Sequence, residues 1–316
     1  MSGHFVISLD FELLWGVRDH SDRVSYGRNI LGARDAVSRM LDLFAENGVH
    51  ATWATVGFLF CESKEELIDC MPEDDRPMYA NPALSNYRYF GEVGRNESAD
   101  PYYFAPSLIE TIRQTPGQEI GTHTLSHYYC LEDGQTLEAF EADLRAAQRL
   151  ASRRGVTLRS IVFPRNQFGP EHLEVCKRQG LTTYRGNPEG WAYRAAKGAE
   201  QTPLRRALRL ADAYTGFLGP LTFGRSGGVL ENVPASRFLR PCAGRLAPFH
   251  QSHIATIRRE MSAAAQSGAG YHLWWHPHNF GRNLEANLDG LLQIISHFRQ
   301  LRDAFGMASR TMADFA

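Results

Sequence analysis

Phe5-Val-Ile-Ser-Leu9 is a short apolar, β-branched run, and behind it Ile30, Ala33, Val37, Met40, Leu41 and Phe44 recur at helical spacing until Gly48. Strand, loop and helix then trade places along the chain. Strands are predicted over 51–56, 118–122, 159–163, 182–186 and 271–275, with a further one over 228–233; helices are predicted over 106–115, 136–154, 170–179, 203–214, 252–266 and 284–305. About seven β–α units at this spacing, with no linker between them, predict an α/β fold: a distorted (β/α) barrel of about seven strands in one domain spanning 1–316. Residues 61–105 break the rhythm and read as a long loop insertion, and 187–202 and 216–250 are similarly irregular.

Composition narrows the class. The chain has 316 residues, 43% hydrophobic and 22% charged, as in a globular protein with a sizeable core. Its net charge of −1 leaves no global field to gather nucleic-acid phosphates, so nucleic acid is excluded as an expected partner. No apolar run reaches the roughly 20 residues that span a bilayer, and the first residues lack signal-peptide character, which predicts a cytoplasmic protein. The five cysteines are widely spaced without a C-x-x-C pair, so reduced thiols are expected.

Two His-x-x-x-His pairs stand out among 12 histidines. Chance alone supplies on the order of 0.5 such pairs, so context must decide between them. His272 and His276 share a predicted strand, where residues four apart lie roughly 13 Å from each other and cannot grip one ion. His123 and His127 follow the strand 118–122, and a single helical turn there brings their rings within about 6 Å. They are either metal ligands or loop histidines satisfied by the backbone. Asp10 and Glu12 follow the first strand on one face, so both carboxylates reach one spot at its C-terminal end, the end that carries the chemistry of a parallel barrel. A cation between them would relieve their repulsion. Arg165 follows another strand, and its planar guanidinium could orient a neighbouring carboxylate. Arg205, Arg206 and Arg209 accompany apolar Leu204, Leu208 and Ala211 on one predicted helix; they read as a solvated basic face in preference to a phosphate or membrane contact.

In this order the pieces resemble the polysaccharide deacetylase family (carbohydrate esterase family 4), metal-dependent amide and ester hydrolases on a distorted (β/α) barrel. Ser8-Leu-Asp-Phe-Glu12 resembles the first motif in its Asp-x-Asp/Glu variant, Gly121-Thr-His-Thr-Leu-Ser-His127 the His-[Ser/Thr]-x-x-His metal motif, and Leu273-Trp-Trp-His276 the Leu-x-x-His motif. The third motif, usually Arg-x-Pro-Tyr, stands as Phe163-Pro-Arg-Asn-Gln167, and the fourth is matched only by Tyr184-Arg-Gly-Asn187 with Trp191 nearby.

The resemblance implies that Glu12, His123 and His127 hold one divalent metal, zinc first, with cobalt, nickel or manganese as alternatives. It further implies that Asp10 is the base, that Arg165 holds Asp10, and that His276 protonates the departing amine. Asn166, Trp191 and Trp275 are the candidate substrate contacts. The implied reaction removes an N-acetyl or N-formyl group from an amino sugar. For a cytoplasmic member the substrate is expected to be a nucleotide-linked or lipid-linked precursor of a surface polysaccharide, such as O-antigen or lipopolysaccharide, met in the cytoplasm or at the inner face of the membrane. A catalytically silent carbohydrate-binding or scaffold member, or a hydrolase of a non-sugar amide, is the alternative.

Overall fold

The computed structural model describes residues 2–72, 75–188, 193, 202–224 and 226–316. The strands are β1 (His4–Phe11), β2 (Ala51–Thr55), β3 (Gln118–Thr122), β4 (Ser160–Ile161), β5 (Thr183–Tyr184), β6 (Glu231–Asn232), β7 (Arg237–Phe238), β8 (Gly270–Trp275) and β9 (Ala308–Arg310). They form one sheet in the order β6-β5-β4-β3-β2-β1-β8-β7, with β9 added beside β1, and every pairing is parallel. The helices are α1 (Arg23–Asn47), α2 (Lys64–Asp69), α3 (Pro106–Gln114), α4 (Leu137–Arg153), α5 (Pro170–Arg178), α6 (Pro203–Thr215), α7 (His250–Ser267) and α8 (Leu284–Phe305).

The expected distorted barrel is the fold observed, and one segment closes it. Residues 231–232 pair with β5, residues 237–238 pair with β8, and between them Ala235 N–H reaches Gly186 O while Ser236 N–H reaches His272 O. A single run of eight residues therefore joins the two edges of the sheet. The ladders are uneven. β1, β2, β3 and β8 are five to eight residues long, whereas β4 to β7 have two residues each.

Along β1 the side chains alternate as a strand requires. Phe5, Ile7, Leu9 and Phe11 join the large core beneath the helices, where each buried side chain of this kind contributes roughly 1.5–3 kcal/mol. Val6 joins a second, smaller cluster with Ala54, Val162, Val233, Phe223, Met312 and Phe315, and Ser8 and Asp10 continue on that face. The inner face of β1 thus climbs from an apolar base to a polar mouth.

Three elements escaped the sequence reading: α2, β7 and β9 are each six residues or shorter, too brief for a period to show. The insertion 61–105 contains α2 and contributes Leu67, Phe90, Val93, Tyr103 and Phe104 to the main core. The Trp15 indole N–H donates to Tyr103 O at 2.9 Å, fastening this segment to the loop after β1.

Candidate active site

Glu12, His123 and His127 converge as a buried group whose three candidate ligand atoms lie within 4.8 Å of one another. The Glu12 carboxylate lies 3.1 Å from His127 Nε2 and 3.4 Å from His123 Nε2, both through Oε2. Burial opposes the Glu12 charge, but His276, His123 and His127 outweigh it and hold the carboxyl well below its ordinary value. The seat is narrow. A Cβ on Gly16 would fall 1.9 Å from Glu12 Cδ, so only glycine leaves room for the carboxylate.

The histidines are presented by a bent turn, in place of the helical turn expected. Thr124 and His127 have φ of 64° and 60°, a region costly for residues with a Cβ. Asp143, on α4 and fully buried, holds the turn: its carboxylate accepts from Leu125 N–H at 2.7 Å, from Ser126 N–H at 3.2 Å and from the Ser126 hydroxyl. Burial nevertheless raises the Asp143 carboxyl to about 6. His123 Nδ1 bonds Val162 O at 2.8 Å; since the carbonyl can only accept, the proton sits on Nδ1 and Nε2 turns its lone pair to Glu12. His127 Nδ1 is buried without a hydrogen-bond partner. Two imidazole Nε2 atoms and a carboxylate, with one tautomer fixed from behind, are a donor set suited to a divalent cation such as zinc.

Asp10 stands apart from that group. The guanidinium of Arg185 spans both its oxygens, at 2.6 Å to Oδ1 and 2.9 Å to Oδ2. Burial alone would raise the Asp10 carboxyl; Arg185 outweighs it and keeps the group ionised below its usual range. Arg185 also donates to Ser8 Oγ at 2.9 Å and to Asn166 Oδ1 at 3.1 Å, and lies 4.2 Å over the Trp274 ring. Since arginine only donates, Ser8 is free to donate in turn to His272 Nε2 at 2.8 Å, and His272 Nδ1–H bonds Val233 O at 2.9 Å. His272, pushed down to about 3 chiefly by burial, is a neutral strut inside the barrel.

His276 crowns β8 with Nε2 3.7 Å from Asp10 Oδ2 and 3.6 Å from Glu12 Oε1, and it retains 24% side-chain exposure. His278, not anticipated from the sequence, stacks on it with centroids 5.0 Å apart, its Nε2 3.9 Å from Glu12 Oε1; burial drives it down to about 3. Asp10, Glu12, His123, His127 and His276 line one cavity of about 400 Å³ at the C-terminal ends of the strands.

Three sequence expectations change. Arg165 does not hold Asp10; it pairs with Asp19 and Glu132 and lies 4.3 Å over Tyr129, because φ of 55° at Arg165 and 52° at Asn166 carries the chain out of strand alternation. Trp275 is no substrate contact. It is fully buried against Phe44 and Phe280 on the helical side, while Trp274, sharing the inner face with His272 and His276, lines the cavity. Arg205 and Arg209 do not form a wholly solvated face, for Arg205 is 8% exposed and Arg209 lines a second cavity. Asn166 does face the cavity, and Trp191 lies outside the described residues.

Residues 31–184, just under half of the chain, match the family model for polysaccharide deacetylases. That stretch contains His123 and His127, whereas Asp10, Glu12 and His276 lie outside it. Among solved structures, a Mycobacterium smegmatis protein described as a polysaccharide deacetylase is similar with a TM-score of 0.60 at 13% identity, over 99% of this chain and 89% of that one. Puue allantoinase is similar with a TM-score of 0.56 at 11% identity over 99% and 87%. A Pseudomonas aeruginosa PAO1 protein described as a polysaccharide deacetylase reaches 0.55 at 11% identity over 99% and 88%. Likenesses at such identities establish the shared fold. No curated protein matches the chain in sequence.

Proposed function

We propose that this chain, whose residues 31–184 match the family model for polysaccharide deacetylases, is a metal-dependent hydrolase that removes an N-acetyl or N-formyl group from an amino sugar. The observation that carries this reading is the meeting, in one cavity, of the Glu12, His123 and His127 group with an Arg185-clamped Asp10 and with His276. Glu12, His123 and His127 would hold a divalent cation, which when bound would supply Lewis acidity, lowering the pKa of water and polarising the acyl carbonyl.

Asp10, ionised and oriented by Arg185, accepts the proton of the attacking water at its carboxylate. His276, at the end of β8 on the opposite side of β1 from β3 in the sheet and partly open to the cavity, gives a proton to the departing amine. A poor leaving group such as an amine requires that donor. Trp274 and Phe238, in contact at 4.7 Å between centroids, offer an aromatic wall for a sugar ring.

The carrier is proposed to be a nucleotide or a lipid, and the product an intermediate of surface polysaccharide assembly such as O-antigen or lipopolysaccharide, handled in the cytoplasm or at the inner face of its membrane. Among the described residues no helix is long and apolar enough to cross a membrane. The test is incubation of metal-loaded protein with a panel of N-acyl sugars on nucleotide and lipid carriers, read as a loss of about 42 or about 28 mass units, the net change when acetyl or formyl is replaced by hydrogen. Metal analysis runs beside it. His123→Ala and His127→Ala should lose the ion and turnover together; full occupancy in both would remove the basis of the reading, and a metal-free wild type would favour a silent carbohydrate-binding protein.

A further inference from the structure

The segment 61–105 reaches both walls of the metal seat through one side chain, that of Asn86. Asn86 opens a 3-10 helix over Asn86–Glu92. Aromatic packing seats this helix: Tyr87 and Phe90 lie 5.6 and 5.2 Å from the Phe58 ring, and Phe90 lies 5.9 Å from Trp15. The Asn86 side chain points inward and is only 4% exposed. Its amide nitrogen donates to Trp15 O and to Ser126 O, each at 3.0 Å. Carbonyl oxygens only accept, so the nitrogen is the atom that faces them, and both of its protons are engaged.

The two carbonyls belong to opposite sides of the site. Trp15 O stands on the peptide that leads into Gly16, the glycine that leaves room for the Glu12 carboxylate. Ser126 O stands on the peptide that leads into His127. The N–H bonds of one amide diverge by about 120°, so two hydrogen bonds of this length keep the carbonyl oxygens about 5 Å apart. The sheet does not impose that spacing, because β2 lies between β1 and β3 and the loop and turn extend beyond their strands. Asp143 fixes the shape of the histidine turn from α4, and Asn86 fixes the distance of the turn from the Glu12 loop. Without the amide the two buried carbonyls lose their shared donor, and the walls are free to part.

We propose that Asn86 is a positioning residue for the divalent cation: by tying the peptide before Gly16 to the peptide before His127, it sets the separation of Glu12 from the histidine ligands. The inference rests on the metal-dependent hydrolase reading and adds to it a segment that supplies no ligand itself. Segment 61–105 then acts as a clasp on the metal seat.

Cobalt(II) tests the clasp, because its visible absorption reports the arrangement of its ligands while a competition titration gives its affinity. The wild-type protein should take up the ion. Asn86→Leu, close to asparagine in shape but without a donor, should weaken affinity about 10- to 100-fold and alter the absorption of the loaded protein. Asn86→Ser keeps one donor and should fall between the two; it carries the test if Asn86→Leu does not fold. Arg34→Ala is the control. Arg34 ties the same segment to α1 through Phe104 O at 3.1 Å and through Glu97, away from both peptides. Its loss should lower the urea midpoint while affinity and absorption stay at wild-type values. Wild-type affinity and absorption in both Asn86 variants would overturn the clasp. An equal loss in Arg34→Ala would overturn it too, since attachment of the segment at large, and not the paired hydrogen bonds of Asn86, would then set the site. Either result leaves a metal-loaded wild type and the hydrolase reading intact, whereas a wild type that takes up no cobalt removes that reading and the clasp with it.

Discussion

Arg185 grips Asp10 through two nitrogens, across 175 positions of sequence, inside a barrel where both side chains are buried. The pairing fixes the direction of the carboxylate as well as its charge. A buried pair of this kind is costly to break from one side only, because the remaining ion is left without its partner.

Asp10→Asn should therefore keep the metal and lose roughly 10²-fold or more in turnover, the scale for removal of a general base. Arg185→Lys retains the positive charge but loses the fork, and is expected to lower kcat while metal content stays. Arg165→Ala should act on KM more than on kcat, since Arg165 lines the cavities without touching Asp10. If Arg165→Ala lowered kcat as deeply as Arg185→Lys, Asp10 would depend on an arrangement other than the one described.

Gly16→Ala tests the seat of Glu12. The added methyl group overlaps the carboxylate, with 2.2 and 2.3 Å to its two oxygens, and Glu12 must swing away. Metal affinity is expected to fall by about 10- to 100-fold, the range for disturbed support of a ligand, with little change in the folded baseline. Unaltered affinity in a competition titration would mean that Glu12 is not held where the glycine admits it.

Replacing His276 by Ala should cost heavily on an amide and little on an activated aryl acetate, whose leaving group needs no proton. Metal content should not change. Equal losses on both substrates would assign His276 to positioning, and loss of metal would make it a ligand.

Acid should weaken the fold through two buried histidines. Burial holds His253 at about 4 and His272 at about 3, against about 6.5 in the unfolded chain. Both are neutral when folded near pH 5 and take up a proton on unfolding, so the unfolded state binds more protons and stability falls as pH drops below about 6.5. The two together amount to roughly 2 to 3 kcal/mol per pH unit around pH 5. His253 accepts from Arg240 N–H and donates to Ala213 O, a pattern glutamine can copy. Urea midpoints of His253→Gln between pH 7 and pH 5 should show about half the wild-type slope from this source, and parallel curves would refute the assignment.

The alternation of strand and helix was legible because it is a repeated, local signal. So was the first carboxylate pair, since Asp10 near the end of β1 and Glu12 one residue beyond it are too close in sequence to part. Trp275 was misread for want of parity: once His272 and His276 share a face, Trp274 must share it too, and Trp275 must turn to the helices. Arg185 carried a usable sign as well. It is two positions beyond Thr183, and both are fully buried on one side of β5 while Tyr184 is not. Its partner, however, is fixed by closure of the barrel, a relation between distant strands that no local spacing encodes. His278 escaped for a related reason, because Pro277 breaks the strand and a turn brings the ring back over His276.

The uneven ladders divide the barrel into a frame and an adjustable jaw. Asp10, Glu12, the two histidines after β3 and His276 all stand on or just beyond strands held by long runs of hydrogen bonds. Arg185, Arg237 and Arg240 stand on or beside strands only two residues long, joined through the single closing segment. Lengthening or re-angling that segment changes the width and charge of the mouth while the reacting groups keep their spacing. New molecules can thus be fitted to an old reaction by tailoring one side of the ring, and diversity among such barrels should concentrate there.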